Sequence, residues 1–217
     1  MDIALLVLRV VVGLFFVGHG AQKLFGKFGG HGLAGTAGFF ESIGMGPGRR
    51  NAIAAGSAEF VGGLLLVLGL VTPLAAALII AVMFVAIAKV HAKNGPWVTD
   101  SGFEYNAVLI AASFALAGAG PGEISLDDAI GWMPDITGTG WAFVALAAGL
   151  LGALGALTTG KEAPAAAATA PEPATAAATA PTATGATDDG IEPTGRFARS
   201  NAQAEQAERP GIPADSR

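Results

Sequence analysis

The chain has no cysteine among its 217 residues. That excludes disulfides, thiol nucleophiles, Cys-ligated zinc and cysteine-held iron–sulfur clusters, so any redox role has to run through a bound cofactor or a partner. Charge is scarce too. Only 13% of residues are Asp, Glu, Lys or Arg, against about 25% in an ordinary soluble domain. No run of Lys or Arg suggests nucleic acid. There is no Gly-rich phosphate loop after a strand and no paired nucleophile and base. The aspartates of "SLDDAIGWMPD" (125–135) are loosely spaced and read as a solvated loop, so no metal site is expected.

What replaces charge is apolar and small: 52% hydrophobic residues, 32 glycines and a mean hydropathy of +0.56. Such a chain belongs to the membrane class, and small residues let membrane helices approach closely. The N-terminus does not read as a cleavable signal, since Asp2 replaces the usual positive start and Arg9 interrupts a long apolar run.

About 17–25 apolar residues span a bilayer as a helix. Residues 3–24, 52–70, 73–91 and 104–118 are four such stretches, the last short and polar at its entry. Thr72-Pro73 offers an N-cap and first helical residue, and Val71-Thr72-Pro73 forces the second and third helices into an antiparallel pair. A fifth helix is expected at 140–157, opening with Trp141 as an interface anchor. Between the first two helices, "TAGFFESIGM" reads as a short interfacial helix. The fold expected is therefore all-α: a four-helix membrane core over 1–130, a loop and fifth transmembrane helix over 131–160, and a disordered Ala/Pro/Thr-rich tail over 161–217.

Lys and Arg set the orientation. Lys23, Lys27, Arg49 and Arg50 flank the loop after the first helix, and Lys89 and Lys93 the loop after the third. Glu123, Asp127, Asp128 and Asp135 lie at the other end. Loops 26–51 and 90–103 are thus placed on the cytoplasmic side of a multi-pass membrane protein, with the N-terminus outside.

The polar residues inside these helices are the functional candidates. Arg9, Gly13, Phe16, Gly20 and Lys23 fall on one stripe of the first helix at the period of a packed seam. His19 sits beside it. Lys23 can also be read as snorkelling to the interface. Glu59, flanked on its face by Gly56 and Gly63, lies too deep to snorkel and needs a partner, a water-filled cavity or a proton; pairing with Arg9 is one option. His91 ends the third helix on the same side, and Glu104, Tyr105 and Asn106 open the fourth there. His19 and His91 read as polar boundary residues in preference to haem ligands.

"LRVVVGLFFVGHGAQKL" (8–24), "AEFVGGLLLVLGLVTPLAA" (58–76) and "GFEYNAVLIAASFALAGAGPGEISLD" (102–127) together resemble the DoxX family of bacterial four-helix membrane proteins. The resemblance carries Arg9, Lys23, Glu59, Glu104 and Tyr105 as a recurring polar set. It implies a redox context, because the family takes its name from a subunit of a thiosulfate:quinone oxidoreductase and members are linked to membrane complexes with soluble partner proteins.

Three functions follow as expectations. The favoured one is a quinone-interacting subunit of a membrane oxidoreductase, with Glu59 as proton carrier and His19 or Lys23 as donors. Arg9, His91, Glu104, Tyr105 and Asn106 complete its candidate quinone site. The others are a membrane scaffold that recruits soluble oxidative-stress enzymes, and a small-solute transporter. The partners expected are lipid, soluble redox enzymes and further copies or subunits in an oligomer, and no nucleic acid; quinone is the one cofactor suggested.

Overall fold

The computed structural model describes residues 1–132 and 136–160, and every regular element among them is helical. The helices are α1 (Asp2–Phe25), α2 (Gly32–Ser42), α3 (Gly48–Leu68), α4 (Thr72–Ala86), α5 (Glu104–Ala119), α6 (Leu126–Ala129) and α7 (Thr139–Thr159). A π-helical turn over Ile87–His91 and a 3-10 turn over Ala92–Asn94 extend α4. The tail expected to be disordered, 161–217, lies outside the described residues, as does Asp135.

Among the described residues, four segments are long and apolar enough to cross a membrane: α1, α3, Thr72–Asn94 and α7. Of these, α7 is the fifth helix expected at 140–157. α5 has 16 residues, about 24 Å of helix, and returns the chain between the same two ends. Its far end lies beside α7, where Gly138 N donates to Gly118 O at 2.9 Å. The interfacial helix expected from "TAGFFESIGM" is α2, and Thr36 Oγ1 ties it to the end of α1 by donating to Lys23 O at 3.3 Å.

In lipid, apolar burial gives helices little reason to associate, so close packing must do it. α1 and α3 meet on glycines. A Cβ on Gly13 would lie 2.6 Å from Gly63 O, and one on Gly20 would lie 2.5 Å from Phe60 N and 2.7 Å from Gly56 O. The register is antiparallel and places the charges of the α1 stripe at opposite ends of the seam. α7 uses the same device: its buried residues are Ala142, Ala145, Gly149 and Ala153, and a Cβ on Gly149 would strike Ile80 of α4.

The bundle has a basic end and an acidic end. Lys23, Lys27, Arg49, Arg50, Lys89 and Lys93 cluster at one, together with the end of α7, where Gly160 sits against Met45. The N-terminus, the α3–α4 turn and the loop before α7 share the other, where Glu123 N donates to Asp2 Oδ1 at 3.1 Å. Among the described residues five helices traverse the bundle, so Met1 and Gly160 stand at opposite ends.

The acidic end differs from its sequence reading. "SLDDAIGWMPD" is not simply a solvated loop, because Asp127 is 0% exposed. Its backbone N donates to Gly69 O, and its carboxylate accepts from Val71 N at 2.8 Å and from Thr72 N and Oγ1, each at 3.1 Å. The α4 N-terminus is therefore capped across the bundle by Asp127, not by Thr72 as expected. The same grip holds Val71 at φ 45, a conformation that a β-branched residue resists.

Candidate functional site

Eleven residues into α3, about 16 Å from its start, Glu59 is 3% exposed. Its partner comes from the last turn of α1: Lys23 Nζ donates to Glu59 Oε2 at 2.5 Å, with the lysine side chain 27% exposed. Gly56, without a side chain, leaves room for the end of α1 beside the pair. A Cβ there would lie 3.2 Å from Lys23 Cβ and 2.8 Å from Leu24 Cδ2. Lys23 thus turns inward, against the snorkelling reading, and Arg9 is not the partner of Glu59.

Arg9 is only 1% exposed, and its Nη2 donates to Ile124 O at the acidic end. The guanidinium packs against Gly69, and Asp127 lies within its electrostatic reach. The two cations of the α1 stripe therefore sit at opposite ends, Lys23 paired with Glu59 at the basic end and Arg9 bonded to a backbone carbonyl at the acidic end.

The Lys23–Glu59 pair forms part of the wall of a cavity of about 340 Å³ between α2, α3, α4 and α7. That volume lies at the small end of the range for ligand sites. Its remaining walls are mainly Ala, Val, Phe and Met side chains, with Asn51 and His91 as the other polar groups. His91 stands on the π-helical turn, a distortion frequent at functional sites. Its Nδ1 lies 2.8 Å from Ser101 O. A carbonyl only accepts, so Nδ1 is the donor in this bond, and Nε2 is the ring nitrogen not engaged in it.

Of the expected site residues, the cavity brings together Lys23, Glu59 and His91. His19 is exposed beside the pair, within electrostatic reach of Glu59. Glu104 Oε1 accepts from Val98 N at 2.9 Å and orders the α4–α5 loop. Tyr105 is exposed. Asn106 is buried and donates through Nδ2 to Met83 Sδ at 3.3 Å. These four and Arg9 do not line the cavity.

Sequence reasoning missed the contributions of α2 and α7, and with them Phe39, Phe40 and Gly152. It also missed Asn51, which donates to Met45 O at 2.6 Å and closes the loop below the cavity. Among the described residues, no group of three or more His, Asp or Glu side chains is placed to hold a metal.

The family model of DoxX matches residues 4–92, from α1 through His91. The chain is also 34% identical over 118 residues to "Putative oxidoreductase CatD" of Bacillus subtilis (strain 168), covering 54% of this chain and 81% of that protein. No solved structure matches. With four long apolar helices and a likeness that runs through both halves of the Lys23–Glu59 pair, the chain belongs to the DoxX family.

Proposed function

We propose that the protein is a redox-linked subunit of a membrane oxidoreductase and that its cavity takes the head group of a quinone. The observation that carries this reading is the Lys23–Glu59 pair in the wall of a cavity that is otherwise largely apolar. A quinone ring needs apolar faces and polar groups near its carbonyls, and this donor set suits it. When bound, a quinone supplies a carrier of two electrons and two protons. Lys23 offers a cationic donor, Glu59 a carboxyl able to hold or release a proton, and His91 the ring nitrogen not engaged in its bond to Ser101. With no cysteine in the chain, the electrons come from a partner, a soluble redox enzyme docking at the basic end. The printed name of the relative from Bacillus subtilis supports an oxidoreductase context.

The orientation belongs to the same reading. Basic ends of membrane bundles face the cytoplasm, so loops 26–51 and 90–103 face the cytoplasm across the bacterial plasma membrane. The scaffold and transporter readings use the same bundle but not the same chemistry. A scaffold is indifferent to the proton on Glu59, and a transporter moves a solute that a quinone does not displace.

Purification in mild detergent, followed by extraction and mass analysis of bound lipids, tests the proposal. A quinone retained by the wild type and lost with Glu59→Gln is expected. Equal retention by both proteins, or none by either, contradicts it.

A further inference from the structure

The rim of the cavity differs in character from its interior. Its lining residues that remain exposed are Phe39 on α2, Ala54 on α3 and Gly152 on α7. None carries a polar side chain. The polar lining residues Lys23, Asn51, Glu59 and His91 are all buried or half-buried. A mouth made for water-borne solutes would place its polar groups at the rim.

Ala54 and Gly152 of the rim lie inside two of the long apolar helices. Ala54 is six residues into α3, about 9 Å from its start, and Gly152 is eight residues before Gly160, about 12 Å from the end of α7. Ala58 and Ala156 continue the two edges one turn further along. Small residues on both keep the slot between α3 and α7 open.

Resting on the reading of the cavity as a quinone site, we infer that it is loaded sideways from the bilayer through the α3–α7 slot. Its ligand is membrane-borne: a compact polar ring reaches Lys23 and Glu59 while a long apolar tail lies between Ala54 and Gly152. The ion pair favours the same ligand class. Its two charges offset each other, so the cavity presents dipoles and a transferable proton but no net charge to draw in an ionic solute.

The test uses the full chain in lipid nanodiscs and two probes, a decyl-tailed benzoquinone and the same ring carrying only a methyl group. Because the tailed probe partitions into lipid, each variant is compared with wild type for one probe at a time. Gly152→Leu and Ala54→Leu put bulk into the slot. Each is expected to weaken the tailed probe by about tenfold and the tail-less probe by less than about twofold. Gly155→Ala, on the same helix but outside the cavity lining and with nothing within 4 Å of its Cβ, is expected to change neither. Should Gly152→Leu fail to fold, Ala54→Leu reads the same slot from an exposed position on the facing helix. Equal weakening of both probes, or no weakening of the tailed one, overturns sideways loading. The underlying reading fails differently: wild type then binds neither ring, or Glu59→Gln binds both as tightly as wild type.

Discussion

Lys23 Nζ and Glu59 Oε2 stand 2.5 Å apart, yet the two side chains are buried unequally, 27% exposed against 3%. The lysine is the partner on the water side of the pair, and the carboxylate is held inside. Removing either partner therefore has different consequences.

Lys23→Met leaves the Glu59 carboxylate in an apolar wall with no cation beside it. A buried charge stripped of its partner costs about 3 kcal/mol or more. Lys23→Met is expected to lower the melting temperature in detergent markedly, while Lys23→Met with Glu59→Gln recovers most of the loss. Glu59→Gln alone is expected to be milder, because the lysine can swing toward the headgroups. Thermal melts of the four proteins check the order.

The α1–α3 seam predicts a contrast between two neighbouring glycines. A Cβ on Gly20 meets backbone atoms of α3, which cannot yield, whereas one on Gly18 meets nothing within 4 Å. Gly20→Ala is expected to cost about 1–3 kcal/mol by forcing the helices apart. Gly18→Ala is expected to stay within about 0.5 kcal/mol of wild type. Equal stability of the two proteins in a melt would contradict the packing.

Asp127 holds the α3–α4 turn through its carboxylate. Asp127→Ala orphans three donors and is expected to destabilise by about 2–4 kcal/mol. Asp127→Asn, which keeps acceptor capacity through one oxygen, is expected to lose less, and Asp128→Asn little. The same detergent melts measure this ranking.

A cysteine-free chain makes topology easy to read by single-cysteine labelling. Lys27→Cys and Lys93→Cys are expected to resist an impermeant thiol reagent applied to intact cells. Glu123→Cys, at the acidic end, is expected to react. Reaction of the first two and protection of the third would invert the orientation.

Much of this fold was legible because apolar length and glycine spacing are local properties. The Arg9, Gly13, Phe16, Gly20 and Lys23 stripe, with its 4-3-4-3 spacing, proved to be the buried edge of α1, where only Lys23 keeps appreciable exposure. Glu59 stood out because no other acid lies so deep in a span. Its choice of Lys23 over Arg9 was not legible, since it depends on where α1 and α3 cross. Asp127 was hidden for a related reason. Nothing in "SLDDAIGWMPD" marks one aspartate as a cap for a turn 55 residues earlier. The cavity needed α7, whose Gly152 and Ala156 look like ordinary small residues until α4 and α3 stand opposite them.

A proton-carrying role for Glu59 is decided by quinone reduction in inverted membrane vesicles supplied with the soluble fraction of the same cells. Wild type, Glu59→Gln and the Gly18→Ala control are matched for the amount of inserted protein. Loss of an acid–base group in a proton-coupled step lowers the rate by about 100-fold or more, so Glu59→Gln is expected to fall that far while Gly18→Ala keeps the wild-type rate. A Glu59→Gln protein that is inserted at the same level and reduces quinone at the full rate would show that the Lys23–Glu59 pair only holds the bundle together.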